Sequence, residues 1–202
     1  MTQFEAVVLA GGRSSRMGED KGLMLLRGRP LIAYVLDAVA RCGPAISTIR
    51  ISTANPAYRQ FGYPLLADLV PDCGPLGGIH AALQTAATET VLVAGCDLPF
   101  VTHETIARLG ERMRSQPSAV VVAAYAGQPQ PLLGFYQRSA LPILARRMEQ
   151  RQLRLREFLA EAGATKVELQ GVVPENSFFN VNTPEEFAEA SGCLKSSKQE
   201  KT

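Results

Sequence analysis

Ala6-Val7-Val8-Leu9-Ala10-Gly11-Gly12-Arg13-Ser14-Ser15-Arg16-Met17-Gly18-Glu19-Asp20-Lys21 is the stretch that decides the fold of this chain. A short apolar run ends in paired glycines, and Gly18 and the cations Arg13, Arg16 and Lys21 follow. Gly11 and Gly12 lack Cβ atoms, so their backbone can take positive φ and bring N–H groups close to phosphate oxygens. The cationic side chains neutralise charge that backbone donors alone leave uncompensated. A plain glycine turn with a solvated basic face would need neither the third glycine nor the cations at a strand end. The pattern therefore predicts a buried N-terminal strand that delivers a triphosphate-holding loop.

Two familiar phosphate loops do not fit. A P-loop needs Gly-Lys followed by Ser or Thr, whereas Lys21 follows Asp20 and precedes Gly22. The dinucleotide fingerprint G-x-G-x-x-G opens directly into a helix. Here the glycines are adjacent, and helical periodicity starts only after Pro30.

Outward from this loop, 202 residues suit one α/β domain, with residues 1–192 as that domain and 193–202 as a polar, disordered tail. Hydrophobic content of 46% and charged content of 20% describe an ordinary globular chain. A net charge of +2 gives no reason to expect nucleic-acid binding. Gly11-Gly12 interrupt the first apolar run, so neither a signal peptide nor a membrane span is expected. Cys42, Cys73, Cys96 and Cys193 are scattered without a C-x-x-C pair, which argues for a reduced, cytoplasmic setting. His80 and His103 are isolated and read as incidental helix residues.

Strand-like and helix-like segments alternate, which predicts a mostly parallel sheet covered on both faces. Strands are expected at 5–9, 46–52, 90–95 and 119–124, with weaker signals at 64–67, 132–136 and 165–169. Helices are expected at 30–42, 78–87, 103–114, 139–150 and 155–162. Thr183-Pro184-Glu185-Glu186 supplies an N-cap, an N1 proline and a capping-box glutamate for a last helix.

Ligands of open α/β sheets collect beyond the carboxyl ends of the strands, and polar clusters follow several of these strands. Thr53-Ala54-Asn55 follows the second. Asp68 precedes Asp72-Cys73-Gly74-Pro75-Leu76-Gly77-Gly78, where glycines admit close backbone approach at a helix start. A carboxylate such as Asp68 can accept both N1–H and the exocyclic amine of guanine, and it can equally be a turn or capping residue. The apolar strand Val91-Leu92-Val93-Ala94 delivers Asp97 before Pro99. One carboxylate at a strand end suits Mg²⁺, which takes one or two protein carboxylates plus phosphate oxygens and water, and it can also merely organise the turn before the His103 helix. In an extended segment Asn180 and Asn182 face one side and Val181 the other, and their amides can meet a cation or an anionic second substrate or simply close a loop.

Together these residues resemble the molybdenum cofactor guanylyltransferases. The resemblance runs from Val7 to about Phe187. It rests on Leu9-Ala10-Gly11-Gly12, Arg16-Met17-Gly18, Lys21-Gly22, Gly74-Pro75-Leu76 with Gly78, Cys96-Asp97-Leu98-Pro99 and Asn180-Val181-Asn182-Thr183-Pro184-Glu185-Glu186. It implies a three-layer α/β/α, Rossmann-like nucleotidyltransferase fold of glycosyltransferase-A type. The implied activity transfers GMP from GTP to the terminal phosphate of molybdopterin, with release of pyrophosphate.

Residue by residue, the resemblance implies GTP binding by Leu9, Ala10, Gly11, Gly12, Lys21, Thr53, Asn55, Asp68 and Asp97. Thr53 stands where some family members carry asparagine, which leaves open whether Thr53 or Asn55 makes that contact. Arg16, Lys21 and Asp97 would be catalytic, with Asp97 also holding Mg²⁺. Gly78, Gln130, Asn180 and Asn182 would meet molybdopterin. Other cofactor-biosynthesis proteins and molybdoenzyme chaperones are implied partners, with neither nucleic acid nor membrane among them. Relatives that transfer cytidylyl groups, or that act on sugar or alditol phosphates, usually open with Leu-Ala-Ala-Gly, so Gly11 points to the purine. A non-catalytic nucleotide-binding protein is the alternative of a different class, and the presence of both Lys21 and Asp97 argues against it.

Overall fold

Phe4, Ala6 and Val8 point to one side of the first strand and Val7 and Leu9 to the other, and all five are buried. A strand apolar on both faces has to be central, with helices above and below. The computed structural model, which describes residues 3–10 and 20–199, has this arrangement. Its strands are β1 (Phe4–Leu9), β2 (Leu25–Leu26), β3 (Arg29–Pro30), β4 (Ile46–Ser52), β5 (Leu65–Leu66), β6 (Thr90–Gly95), β7 (Val120–Tyr125), β8 (Gln128–Gln137) and β9 (Thr165–Glu168). Its helices are α1 (Leu31–Ala40), α2 (Pro75–Thr85), α3 (His103–Ser115), α4 (Leu141–Glu149), α5 (Leu155–Glu161) and α6 (Pro184–Gln199).

The main sheet runs β5-β4-β1-β6-β8-β7-β9, and β8 alone is antiparallel to its neighbours. Buried residues of α1 and α3 pack with Phe4, Ala6 and Val8, whereas those of α2, α4 and α5 pack with Val7 and Leu9. The three-layer expectation holds. From β1 the chain passes through α1 to β4 on one side, then returns through α2 to β6 on the other. The order therefore reverses at β1, where a crevice opens beyond the carboxyl ends of the strands. Glu5 is the polar exception within β1. It faces the α2 layer, and its carboxylate pairs with Arg50 at 3.0 Å and accepts the Ala87 N–H at 2.6 Å.

Several boundaries differ from the sequence expectation. α2 starts at Pro75 rather than Gly78, with Gly74 before it at φ 54, a left-handed value that glycine accepts without strain. β8 starts at Gln128, because Ala126-Gly127 closes a two-residue hairpin with both φ positive, as the strand twist favours. Pro129 and Pro131 argue against a strand in the sequence, since proline cannot donate to a ladder. A bulge accommodates Pro131: Val122 faces Gly134 while Ala123 already faces Gln130, leaving residues 131–133 extra on β8. The pair β2–β3 was not expected. α6 continues past the Gly192 boundary to Gln199. Its start has the expected capping box: Glu186 N–H donates to Thr183 Oγ1 at 3.2 Å, and the Glu186 carboxylate accepts the Thr183 N–H at 3.0 Å.

Candidate functional site

At the end of β1, Ala10 N–H donates to Ser52 O and Cys96 N–H donates to Leu9 O, both at 3.0 Å. These bonds bring the segments after β1, β4 and β6 to one edge of the sheet. Lys21 enters there from a 3-10 turn, Lys21–Leu23. Its Nζ donates to Asp97 Oδ2 at 3.1 Å and to Asn182 Oδ1 at 3.0 Å. Lys21, Asp97 and Asn182, distant in the chain, thus share one ammonium. Val181 N–H donates to the Asp97 backbone oxygen at 2.9 Å and ties the Asn180–Asn182 segment to the end of β6.

Asp97 is held by what surrounds it. A Cβ on Gly95 would lie 2.5 Å from Asp97 Oδ1 and 3.2 Å from Leu132 Cβ, so a glycine there makes room for the carboxylate. Oδ1 itself is buried and has no hydrogen-bond partner among the described residues. A buried carboxylate oxygen without a donor is costly unless something fills the position. A hard cation fits this atom, and a set of one carboxylate with phosphate oxygens and water suits Mg²⁺. Among the described residues no group of three or more His, Cys, Asp or Glu could hold a metal without such help.

A cleft of about 900 Å³ is lined among others by Leu9, Ser52, Thr53, Asp68, Gly78 and Arg151. Its volume is in the range of small-molecule sites. A Cβ on Gly78 would stand 2.8 Å from Ser52 Oγ and 2.9 Å from Leu9 Cδ2, so only glycine lets α2 approach β1 and β4 this closely. Asp68 is exposed as a residue, but its Oδ2 would be 2.9 Å from a Cβ on Gly77. Partial burial raises its carboxyl pKa above the usual aspartate value, and a hydrogen bond with Ser52 offsets part of that rise.

Of the residues expected to hold GTP, Leu9, Thr53 and Asp68 line this cleft, and Lys21 and Asp97 stand together outside its lining. Ala10, the residue after β1, is buried. Gly11, Gly12, Arg13, Arg16 and Gly18 lie outside the described residues. Asn55 is committed to the protein: its Oδ1 accepts the Ala57 N–H at 2.9 Å and its Nδ2 donates to Asp20 at 2.9 Å. Of the two candidates Thr53 is therefore the one facing the cleft, and its Oγ1 also accepts the Asn55 N–H at 3.1 Å.

Of the residues expected to meet molybdopterin, Asn180 donates to Gln130 Oε1 at 3.4 Å and to Phe178 O at 3.0 Å, and Asn182 joins Lys21. Gly78 sits apart from them, in the Asp68 cleft. Gln130 stands just before the bulge of β8, opposite Ala123.

Sequence inspection missed Asp20, Tyr58, Gly95 and Arg151. Asp20 accepts from Asn55 and from the hydroxyl of fully buried Tyr58, and it stands immediately before Lys21. Burial, and then the bond to Asp20, push the Tyr58 pKa upward, so the hydroxyl stays a donor. A glycine two residues before Asp97 was a readable signal for a crowded carboxylate; Tyr58 gave none.

A model of the MobA-like NTP transferase domain matches residues 6–167. This chain belongs to the MobA-like NTP transferase family. It is a nucleotidyltransferase. The molybdenum cofactor guanylyltransferase of Serratia proteamaculans is 37% identical over 191 residues, covering 91% of this chain and 92% of the relative. The enzyme of the same name from Vibrio cholerae is 34% identical, covering 91% of this chain and 89% of the relative. Among solved structures, molybdopterin-guanine dinucleotide biosynthesis protein A of Archaeoglobus fulgidus superposes with a TM-score of 0.82 at 25% identity, over 96% of this chain and all of that one. Among the described residues no helix is long and apolar enough to cross a membrane.

Proposed function

We propose that this nucleotidyltransferase moves GMP from GTP to the terminal phosphate of molybdopterin, releasing pyrophosphate and forming molybdopterin guanine dinucleotide. The observation that carries the reading is the single ammonium of Lys21 between Asp97 and Asn182. The names of the Serratia, Vibrio and Archaeoglobus relatives support it.

The cleft takes the nucleoside. Asp68 accepts the adjacent N1–H and amine donors of guanine, and Thr53 and Leu9 frame the base. Lys21 stabilises charge that develops on the transferring phosphoryl group. Arg16 and the N–H groups of Gly11 and Gly12 complete this cradle in the proposal. Mg²⁺ held by Asp97 supplies further neutralisation of the triphosphate when bound. The attacking phosphate of molybdopterin is already anionic at neutral pH, so no histidine or serine device is needed. Asn180, Asn182 and Gln130 orient that second substrate, and in-line positioning supplies the remaining rate. Four free cysteines suit the cytoplasmic setting expected from the sequence.

The test is incubation with GTP, Mg²⁺ and molybdopterin, followed by mass-spectrometric detection of the molybdopterin–GMP adduct. Formation of the adduct is expected. Pyrophosphate release with CTP in preference to GTP would replace the reading by a cytidylyltransferase, and no release with any nucleotide would reduce the site to a binding module.

A further inference from the structure

Among the described residues that line the Asp68 cleft, Arg151 is the only cation. Its backbone position is unusual. Arg151 N–H donates to Met148 O at 3.1 Å and Gln152 N–H donates to Arg147 O at 2.8 Å, the bond pair of a Schellman cap at the end of α4. α5 ends in the same motif, with Gly163 N–H on Ala160 O at 3.2 Å and Ala164 N–H on Leu159 O at 2.9 Å. The left-handed position of that motif is Gly163 at φ 60 in α5 but Arg151 at φ 56 in α4. An L side chain is disfavoured there, so helix termination alone does not account for an arginine.

The side chain turns back to the cleft. Its Nη1 donates to Asp72 O at 3.3 Å and lies 3.9 Å from Cys73 Sγ. On the same turn, a Cβ on Gly77 would lie 3.3 Å from Cys73 Cβ and 2.9 Å from Asp68 Oδ2. A guanidinium and a carboxylate thus flank one turn of the cleft wall. Among the described residues they form no ion pair with each other. Opposite charges that face one cleft without neutralising each other suit a ligand with both acceptors and donors along its edge.

We propose that Arg151 reads the O6 and N7 acceptors of guanine while Asp68 reads the N1–H and amine donors. The inference rests on the guanylyl reading above and adds a specificity-determining residue to it. A planar guanidinium presents paired donors that match O6 and N7. Adenine places an amine donor where O6 would be and is repelled, and a pyrimidine has no N7.

Dissociation constants of GTP, 7-deaza-GTP and ITP, measured by calorimetry with Mg²⁺, separate the two contacts. 7-Deaza-GTP lacks the N7 acceptor and ITP lacks the amine. The wild-type protein should bind 7-deaza-GTP about 10-fold more weakly than GTP. Arg151→Gly, which gives the α4 cap the residue its geometry prefers, should abolish that difference while keeping the GTP-over-ITP preference. Arg151→Lys should retain part of it. Equal weakening of GTP and 7-deaza-GTP in Arg151→Gly, or no 7-deaza effect in the wild type, would overturn the assignment while leaving the guanylyl reading intact. Failure of the wild type to bind GTP would overturn the guanylyl reading itself.

Discussion

Lys21 Nζ lies 3.1 Å from Asp97 Oδ2, and Oδ1 of the same carboxylate is buried with no partner among the described residues. One oxygen is balanced by an ammonium, and in the proposed reaction the other is the one that would face Mg²⁺.

Asp97→Ala should lower nucleotidyl transfer by at least about 100-fold, since a preorganised charge contact of this kind is worth that much or more. The fold should survive, because Asp97 lies after the last residue of β6 and outside the apolar core. Turnover at the wild-type level with Mg²⁺ would remove Asp97 from the site.

Lys21→Ala should also cost about 100-fold in kcat/KM, with a much smaller change in thermal stability. Lys21→Arg should recover little activity. A compact ammonium reaches Asp97 and Asn182 at once, and a rigid planar fork does not reproduce that geometry. Full activity in Lys21→Ala would sink the phosphate-neutralising role.

Gly95→Ala tests the packing beneath the carboxylate. The added methyl would stand 2.5 Å from Asp97 Oδ1, so Asp97 must move out of its place. We expect a large fall in activity with a stability loss of about 1–3 kcal/mol, read from paired kinetic and chemical-denaturation measurements. An active, fully stable Gly95→Ala protein would show that the carboxylate is not confined.

Asp68→Asn should reduce the GTP/ITP ratio of kcat/KM several-fold. The amide can offer its oxygen to one guanine donor, but its NH₂ then faces the other, and a mispaired buried donor costs about 1–3 kcal/mol. An unchanged ratio would shift base recognition to backbone groups near Leu9 and Thr53. The pH dependence has a definite sign. Partial burial raises the Asp68 pKa above 3.8, so protonation sets in at a higher pH than for a free aspartate. On acidification, wild-type GTP/ITP discrimination should therefore fall before ordinary aspartates titrate, and in Asp68→Asn it should stay flat. For the fold the same shift acts in reverse: its stabilising contribution is full below 3.8 and is lost as pH rises through the raised value, so Asp68→Asn should not destabilise the protein at neutral pH.

Arg151→Gly should raise stability by about 0.5–1 kcal/mol, the relief of a left-handed side chain less the entropy of a more flexible unfolded chain. In a domain of this size that is a rise of roughly 2 °C in Tm. A lower Tm would mean that the Arg151 contacts to the Asp72–Cys73 turn outweigh the backbone strain.

What neighbouring residues encode was legible in the chain. The two-faced apolar pattern of β1 requires a central strand and Thr183 with Glu186 caps α6, both from side chains a few positions apart. Lys21, Asp68, Asp97, Asn180 and Asn182 stood out for the same reason, as polar residues at predicted element ends. Tertiary structure decided how they combine. The Lys21–Asp97 contact joins positions 76 apart, and no local pattern states which strand ends become neighbours. The bulge that places Gln130 near Asn180 depends on pairing between β7 and β8. That Asn55 bonds to Asp20 and to the Ala57 N–H appears only in the packed structure. Arg151 reads as one more solvated arginine until α4 and α2 bring it to the Asp68 cleft. Local conformation follows from adjacent side chains, whereas a site is built from separations in space that only the packed sheet and its layers set.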